Sequence, residues 1–196
     1  MAKPYPQPQI YTCLEWGARP VSEVFPIAPC EKWLLHHTAG NNESPSSSSV
    51  TALSYAFMLC RGIQADHMDN NHWSDTGQQY TISHDAIICE GRHGSIAATN
   101  KGLHVVAAEC QGYNIQSGGT EHEGNFDTFH MPLKMWNASV DLHAWIVDRL
   151  KLSSTDIDGH RDHIATDCPG IWFYGQLGNF HKAVHEKLAA WRLANP

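Results

Sequence analysis

Short runs of β-forming residues, most of them closed by a glycine, alternate along this chain with stretches of helical period. That alternation constrains the fold more than any other feature. "EKWLLHHTAG" (31–40) reads as a buried strand stopped at Gly40, "QQYTISHDAIICEG" (78–91) as β-forming sequence ending at Gly91, and "GLHVVAAEC" (102–110) as another short strand. The glycine-rich, polar stretch from Gly112 to Pro132 predicts mostly loop, with a short strand at "GGTEHEGNF" (118–126). Helical spacing appears three times. Val50, Leu53, Phe57, Cys60 and Ile63 follow the polar "NNESPSSSS" (41–49), which offers several caps, and predict a helix to about His67. In "NASVDLHAWIVDRLKL" (137–152), Leu142, Trp145, Ile146 and Leu150 share a face that Asn137 or Ser139 can cap, and Leu177, Phe180, Val184, Leu188 and Trp191 repeat the pattern. Strands interleaved with amphipathic helices predict an α/β fold, a single domain with a central mixed β-sheet flanked by helices.

A chain of 196 residues, 42% of them hydrophobic, is the size of one domain with one sizeable core. Residues 1–13, proline-rich from 3 to 9, read as an N-terminal tail, and 14–196 as the domain. A formal net charge of -7 with 13 scattered lysines and arginines argues against a nucleic-acid partner, because phosphate binding needs clustered positive charge. No apolar run approaches the roughly 18 residues of a membrane span, so no membrane insertion is expected. The start "MAKPYPQPQ" lacks the charged head and apolar core of a signal peptide. A monomer is expected.

"DGHRDHIATDCPG" (158–170) places two histidines, several acids and a cysteine in a stretch without hydrophobic period, between two predicted helices. Such residues carry no packing duty there, which is where function is commonly carried. His160 and Cys168 are good zinc donors. A catalytic zinc takes three protein ligands and keeps one position open, so a third donor must come from elsewhere, and the strand end "LLHHT" (34–38) is the best source. Successive strand side chains point to opposite faces, so only one of His36 and His37 can serve. The six cysteines show no CxxC spacing.

The blocks "HHTAG", "EGR", "GLHV", "GGTEHEGNF" and "GHRDHIATDCPG", with "WGAR" (16–19) and "DTG" (75–77), occur in the order and approximate spacing of a known family. Over roughly residues 14–175 the chain resembles the zinc amidases that include peptidoglycan recognition proteins and phage lysozyme-type amidases. The resemblance implies a peptidoglycan recognition protein-like amidase fold and N-acetylmuramoyl-L-alanine amidase activity. It also implies Zn2+ as cofactor, peptidoglycan or muropeptides as substrate, and action outside the cytoplasm on the cell wall.

Carried over residue by residue, the resemblance makes His36, His160 and Cys168 the metal ligands. His37 then falls on the opposite face, as a packing residue or one that supports the ligands from behind, and His163, which does not follow Gly159 directly, ranks behind His160. Many members use a tyrosine just after the "DTG"-like segment, but here Gln78 stands there and Tyr80 lies two places on. A two-residue shift along a strand keeps the facing and moves the side chain by roughly 7 Å. Other members carry a glutamate in a "GIELEG"-like block, which gives Glu121 as the general base, with Glu123, expected on the same face, as its alternative. Thr166 falls where its hydroxyl can donate to the tetrahedral oxyanion. Arg92, His93 and His104 match groove-lining positions, and Trp73 is a candidate for the same wall. The alternative function is a non-catalytic peptidoglycan-binding module of the same fold, but such relatives typically lack the cysteine ligand that this chain retains. The resemblance leaves Cys13, Cys30, Cys60, Cys89 and Cys110 outside the ligand set, an odd number, so at least one stays unpaired within the chain.

Overall fold

A computed structural model describes residues 3–40, 42 and 50–196. In chain order the elements are α1 (Cys13–Trp16), β1 (Ile27–Ala28), β2 (Lys32–His37), α2 (Ala52–Ala65), β3 (Tyr80–Ile82), β4 (Ile88–Glu90), α3 (Ser95–Asn100), β5 (His104–Val105), β6 (Ser117–His122), α4 (Leu133–Leu150), β7 (Ile157–Gly159), α5 (Ile171–Gly175) and α6 (Leu177–Ala194). Five strands form one mixed sheet in the order β4-β3-β6-β2-β7, parallel except for the β3–β4 hairpin, while β1 and β5 make a separate antiparallel pair. The expected central mixed sheet flanked by helices is present.

β2 sits in the interior of the sheet with a parallel neighbour on each side, and Trp33, Leu34 and Leu35 are all fully buried. A strand covered on both faces reads as a continuous apolar run, which is how this segment reads. Trp33 and Leu35 point into the main core, which they share with Tyr80, Ile82, the inner faces of α4 and α6, and Phe173 of α5. Alternation therefore turns Leu34 and His36 to the other face. The register extends that face across the sheet, since His36 pairs with Glu121 of β6 and Glu121 with Thr81 of β3. One sheet face is thus filled by α4 and α6, and the other carries His36, Glu121 and Thr81.

Several boundaries differ from expectation for local reasons. α2 is capped by Thr51, whose hydroxyl accepts from the Ser54 N–H, and it continues as a wider turn over Asp66–Asn70; of the expected caps, residues 41 and 43–49 lie outside the described residues. α4 starts at Leu133 after Pro132, one turn before the expected caps. Ser139 lies inside that helix with its hydroxyl on His122. β7, α1, α3 and α5 are too short to show a period and were not expected. α1 is set by a Thr12–Glu15 capping box and by Gly17, whose φ of 74° closes the helix.

The segment read as a tail is packed on the domain. Tyr5 and Ile10 are part of the main core, the Tyr5 N–H donates to Asp148 (2.8 Å), and the Lys3 N–H donates to the Asn195 carbonyl (2.9 Å). All six cysteines are free thiols, and Cys13, Cys60 and Cys89 pack with Trp16 in a second, smaller core between α1, α2 and β4. Among the described residues, no helix is long and apolar enough to cross a membrane.

Candidate metal centre

The C-terminal end of β2 and the turn after β7 bring His36, His160 and Cys168 together. One donor atom from each lies within 4.8 Å of the others. His36 Nδ1 is 3.7 Å from Cys168 Sγ, and the two imidazole rings are 4.4 Å apart between centroids. The Cys168 sulfur also accepts the His37 backbone N–H at 3.4 Å, which anchors it to the strand end.

The electrostatics of the two imidazoles run in opposite directions. Burial disfavours protonation of His36, but the Cys168 sulfur and the Glu109 carboxylate outweigh it and push its pKa up to about 10. Burial and the neighbouring His36 push His160 down to about 4. The sulfur and carboxylate that draw a proton to His36 are the groups that would draw a metal cation in the proton's place, and His160, kept neutral, has a lone pair to offer. His160 Nε2 is buried without a partner among the described residues. Two imidazoles and a thiol are the donor set that zinc takes, and the residues present fit that metal.

His36, His160 and Cys168 line a cavity of about 300 Å3 together with His37, His67, Trp73, Gly77, Gln78, Ala108, Glu109, Glu121 and Thr166. Glu121 is on the His36 face, and burial raises its pKa above the ordinary glutamate value. The Thr166 hydroxyl accepts the Cys168 N–H at 3.3 Å, which leaves its own proton to donate. Trp73 forms wall, tilted against His67 at 4.8 Å. His37 faces the other way, its ring stacked on Phe126 (6.1 Å) and its Nδ1 accepting the Phe126 N–H (3.2 Å). His163 is bonded to Asp158 at 3.0 Å and lies outside the donor group.

Other expected site residues are elsewhere. Arg92 is buried, with Nε on the Thr76 carbonyl (2.8 Å), Nη1 on the Val106 carbonyl (3.4 Å) and its guanidinium over the Phe25 ring. Its donors hold loops together and do not line the cavity. His104 is likewise enclosed, between the carbonyls of Val105 and Ile115, and His93 is tied to Asp75 at 2.8 Å. Glu123 does not share the Glu121 face, because β6 ends at His122 and the chain turns; its carboxylate accepts the Tyr55 hydroxyl (2.5 Å) and the His84 N–H (2.7 Å).

Tyr80 does not face the site either. Residues 77–79 form a bend before β3 begins, so the two-residue rule fails between 78 and 80. Gln78 lines the cavity with Nε2 on Thr81 Oγ1 (2.9 Å). Tyr80 points into the main core, stacked on Trp33, with its hydroxyl on Thr99 (2.7 Å). Sequence reasoning missed Glu109 and His67. Glu109 Oε2 is 3.0 Å from His36 Nε2, and His67 Nδ1 accepts the Gly77 N–H at 2.9 Å. Glu109 carries no local signal because it lies in a bend without period, and His67 because the wider turn that continues α2 shifts the helical spacing there.

Comparison with known proteins identifies the family and the fold. Residues 28–171 match the family model described as Amidase_2, N-acetylmuramoyl-L-alanine amidase. Peptidoglycan-recognition protein SC2 of Drosophila simulans is 32% identical over 162 residues, which cover 81% of this chain and 79% of that protein. The structure of bumblebee PGRP-SA superposes with a TM-score of 0.70 at 26% identity, over 88% of this chain and 95% of that one. A Drosophila PGRP-LB variant solved in complex with tracheal cytotoxin gives 0.69 at 25% identity, over 86% and 92%. The fold is that of the peptidoglycan recognition proteins, and the chain belongs to the N-acetylmuramoyl-L-alanine amidase family.

Proposed function

We propose that this chain is a zinc-dependent N-acetylmuramoyl-L-alanine amidase that hydrolyses the amide between N-acetylmuramic acid and the L-alanine of the stem peptide. The observation that carries the reading is the joint placement on one cavity of the His36, His160 and Cys168 donors and the half-buried Glu121. Zinc held by His36, His160 and Cys168 supplies Lewis-acid polarisation of the scissile carbonyl and a lowered pKa for water.

Glu121 is the proton carrier. Its carboxylate takes the proton from the attacking water and delivers it to the alanine nitrogen, which cannot leave as an anion. Burial favours this cycle, because a carboxylate with a raised pKa holds the proton more firmly between the two transfers. The Thr166 hydroxyl, free to donate, stabilises the oxygen that gains charge as the carbonyl becomes tetrahedral. Trp73 offers an apolar wall to the substrate, and Gln78 fills the family's tyrosine position with a group that takes no proton.

The second reading, a peptidoglycan-binding module without catalysis, is favoured by Gln78 at the tyrosine position and by the naming of the relatives as recognition proteins. One experiment separates the two. The purified chain, with its zinc content measured, is incubated with a muropeptide and the products are read by mass spectrometry. Free stem peptide from the wild type, its loss on chelation, and its loss in Cys168→Ser with muropeptide binding retained are expected. Binding without cleavage by a chain holding one zinc overturns the enzyme reading.

A further inference from the structure

We infer that Glu109 is a positioning residue of the metal centre, holding the His36 imidazole in the tautomer and orientation that present Nδ1 to the ion. The inference rests on the zinc reading above. His36 Nδ1 faces Cys168 Sγ, while Nε2, on the far edge of the ring, meets Glu109 Oε2 at 3.0 Å. A carboxylate accepts, so Nε2 carries the hydrogen and Nδ1 keeps its lone pair for a metal. The second oxygen is engaged as well: Glu109 Oε1 accepts the Ser117 hydroxyl at 2.7 Å. The Glu109 side chain is 1% exposed and that of His36 is 6% exposed. With both oxygens occupied, Glu109 is an anchor, and the proton-carrying role stays with Glu121.

Two features of β6 show that the contact is built into the fold. Ser117, at the start of the strand, fixes the carboxylate. Gly119, one pleat further along the same face, leaves the space in which the contact lies: a Cβ there would stand 3.0 Å from His36 Nε2 and 3.2 Å from Glu109 Oε2. Any side chain at Gly119 would push into both partners of the bond. A glycine inside a strand marks such a close approach. No family block quoted for this chain contains a residue for this role at position 109.

The test compares Glu109→Ala and Glu109→Gln with the wild type in zinc affinity, by competition with a chromophoric chelator, and in the His36 ring 15N shifts. Loss of an outer hydrogen-bonding partner typically costs 10–100-fold in metal affinity, and that loss is expected for Glu109→Ala. The amide oxygen of glutamine still accepts from Nε2–H, so Glu109→Gln should recover most of the affinity. Ser117 keeps the Tyr113 carbonyl as a partner (2.9 Å), so Glu109→Ala should retain a cooperative thermal transition. The wild-type His36 spectrum should show Nε2 protonated in the zinc-loaded protein, and the alanine variant should lose that single tautomer. Wild-type affinity in Glu109→Ala, or equal losses in both variants, overturns the inference. A wild type that binds no zinc overturns the metal reading itself, and the ring shifts still decide whether Glu109 sets the tautomer.

Discussion

Replacing Glu121 with glutamine separates proton transfer from every other function of the cavity. The side chain keeps its volume, stays on the His36 face of β6, and is not one of the three donors, so zinc content should not change. What disappears is, among the described residues, the only carboxylate on that cavity besides Glu109, whose oxygens are both engaged. General-base removal costs about 10²–10⁴ in rate, which corresponds to about 2.7–5.5 kcal/mol of transition-state stabilisation. Tyr80→Phe is the paired control. Its hydroxyl lies in the core on Thr99, so the substitution should remove about 1 kcal/mol of stability. In a domain of this size that lowers the melting temperature by roughly 2–4 °C and leaves kcat unchanged. The assay is kcat on one muropeptide, with zinc per chain and a thermal melt for each variant. The pH profile adds a second readout: burial raises the Glu121 pKa, so the acid limb of kcat/KM should lie above the ordinary glutamate range in the wild type and vanish in Glu121→Gln. A near-normal rate in Glu121→Gln, or a large rate loss in Tyr80→Phe with zinc retained, would refute the assignment.

Two further predictions concern the scaffold. Gly118→Ala places a methyl 2.9 Å from Trp33 Cε3 and Cη2 in the filled core, so overpacking of about 1–3 kcal/mol should lower the melting temperature. Zinc content should hold, because Trp33 is on the helix face, and an unchanged melt would show that the core yields there. His122 and His143 are fully buried between β6, α4 and the aromatic rings, and burial pushes their pKa values down to about 3 and about 4. The unfolded chain, titrating near ~6.5, binds protons there that the native protein does not. Stability present above ~6.5 is therefore lost as pH falls toward 4, at about 1.4 kcal/mol per pH unit for each group. His143 Nε2 has no partner among the described residues, so His143→Leu should be tolerated at pH 7 and should reduce the acid slope by about one proton. An unchanged slope, by denaturant titration at several pH values, counts against the burial argument.

The sequence made the long elements legible because burial writes a period or an unbroken apolar run into them. β2, α4 and α6 were read that way, and alternation along β2 separated His36 from His37 once the family block had chosen the first. The candidate donors were legible because the donor chemistry that zinc would take is confined to few residue types. The remainder of the cavity was not, for particular reasons. Arg92 was expected in the groove, but its nearest acceptors are the carbonyls of Thr76 and Val106, which only the folded loops bring together. Glu123 and Tyr80 were judged by strand alternation at positions where a turn after β6 and a bend before β3 break it. Glu109 reaches His36 through a loop and a contact 73 residues apart in sequence, and no pattern local to either residue encodes it.

The place of β2 in the sheet also bears on how the chain assembles. This strand is made before both of its partners, and it has no sheet neighbour until Ser117 and Ile157, the first residues of those two parallel strands, have been synthesised. Until then Trp33, Leu34 and Leu35 form an unpaired apolar edge, the kind of segment that chaperones hold and that aggregation recruits. Contacts this distant along the chain are slow to form, so the sheet interior, with its donors at the strand ends, belongs to the late stage of folding. Yield on refolding should therefore depend on protein concentration more steeply than native stability alone suggests. Substitutions that lower the apolar character of β2 would ease that stage only by weakening the sheet that carries His36.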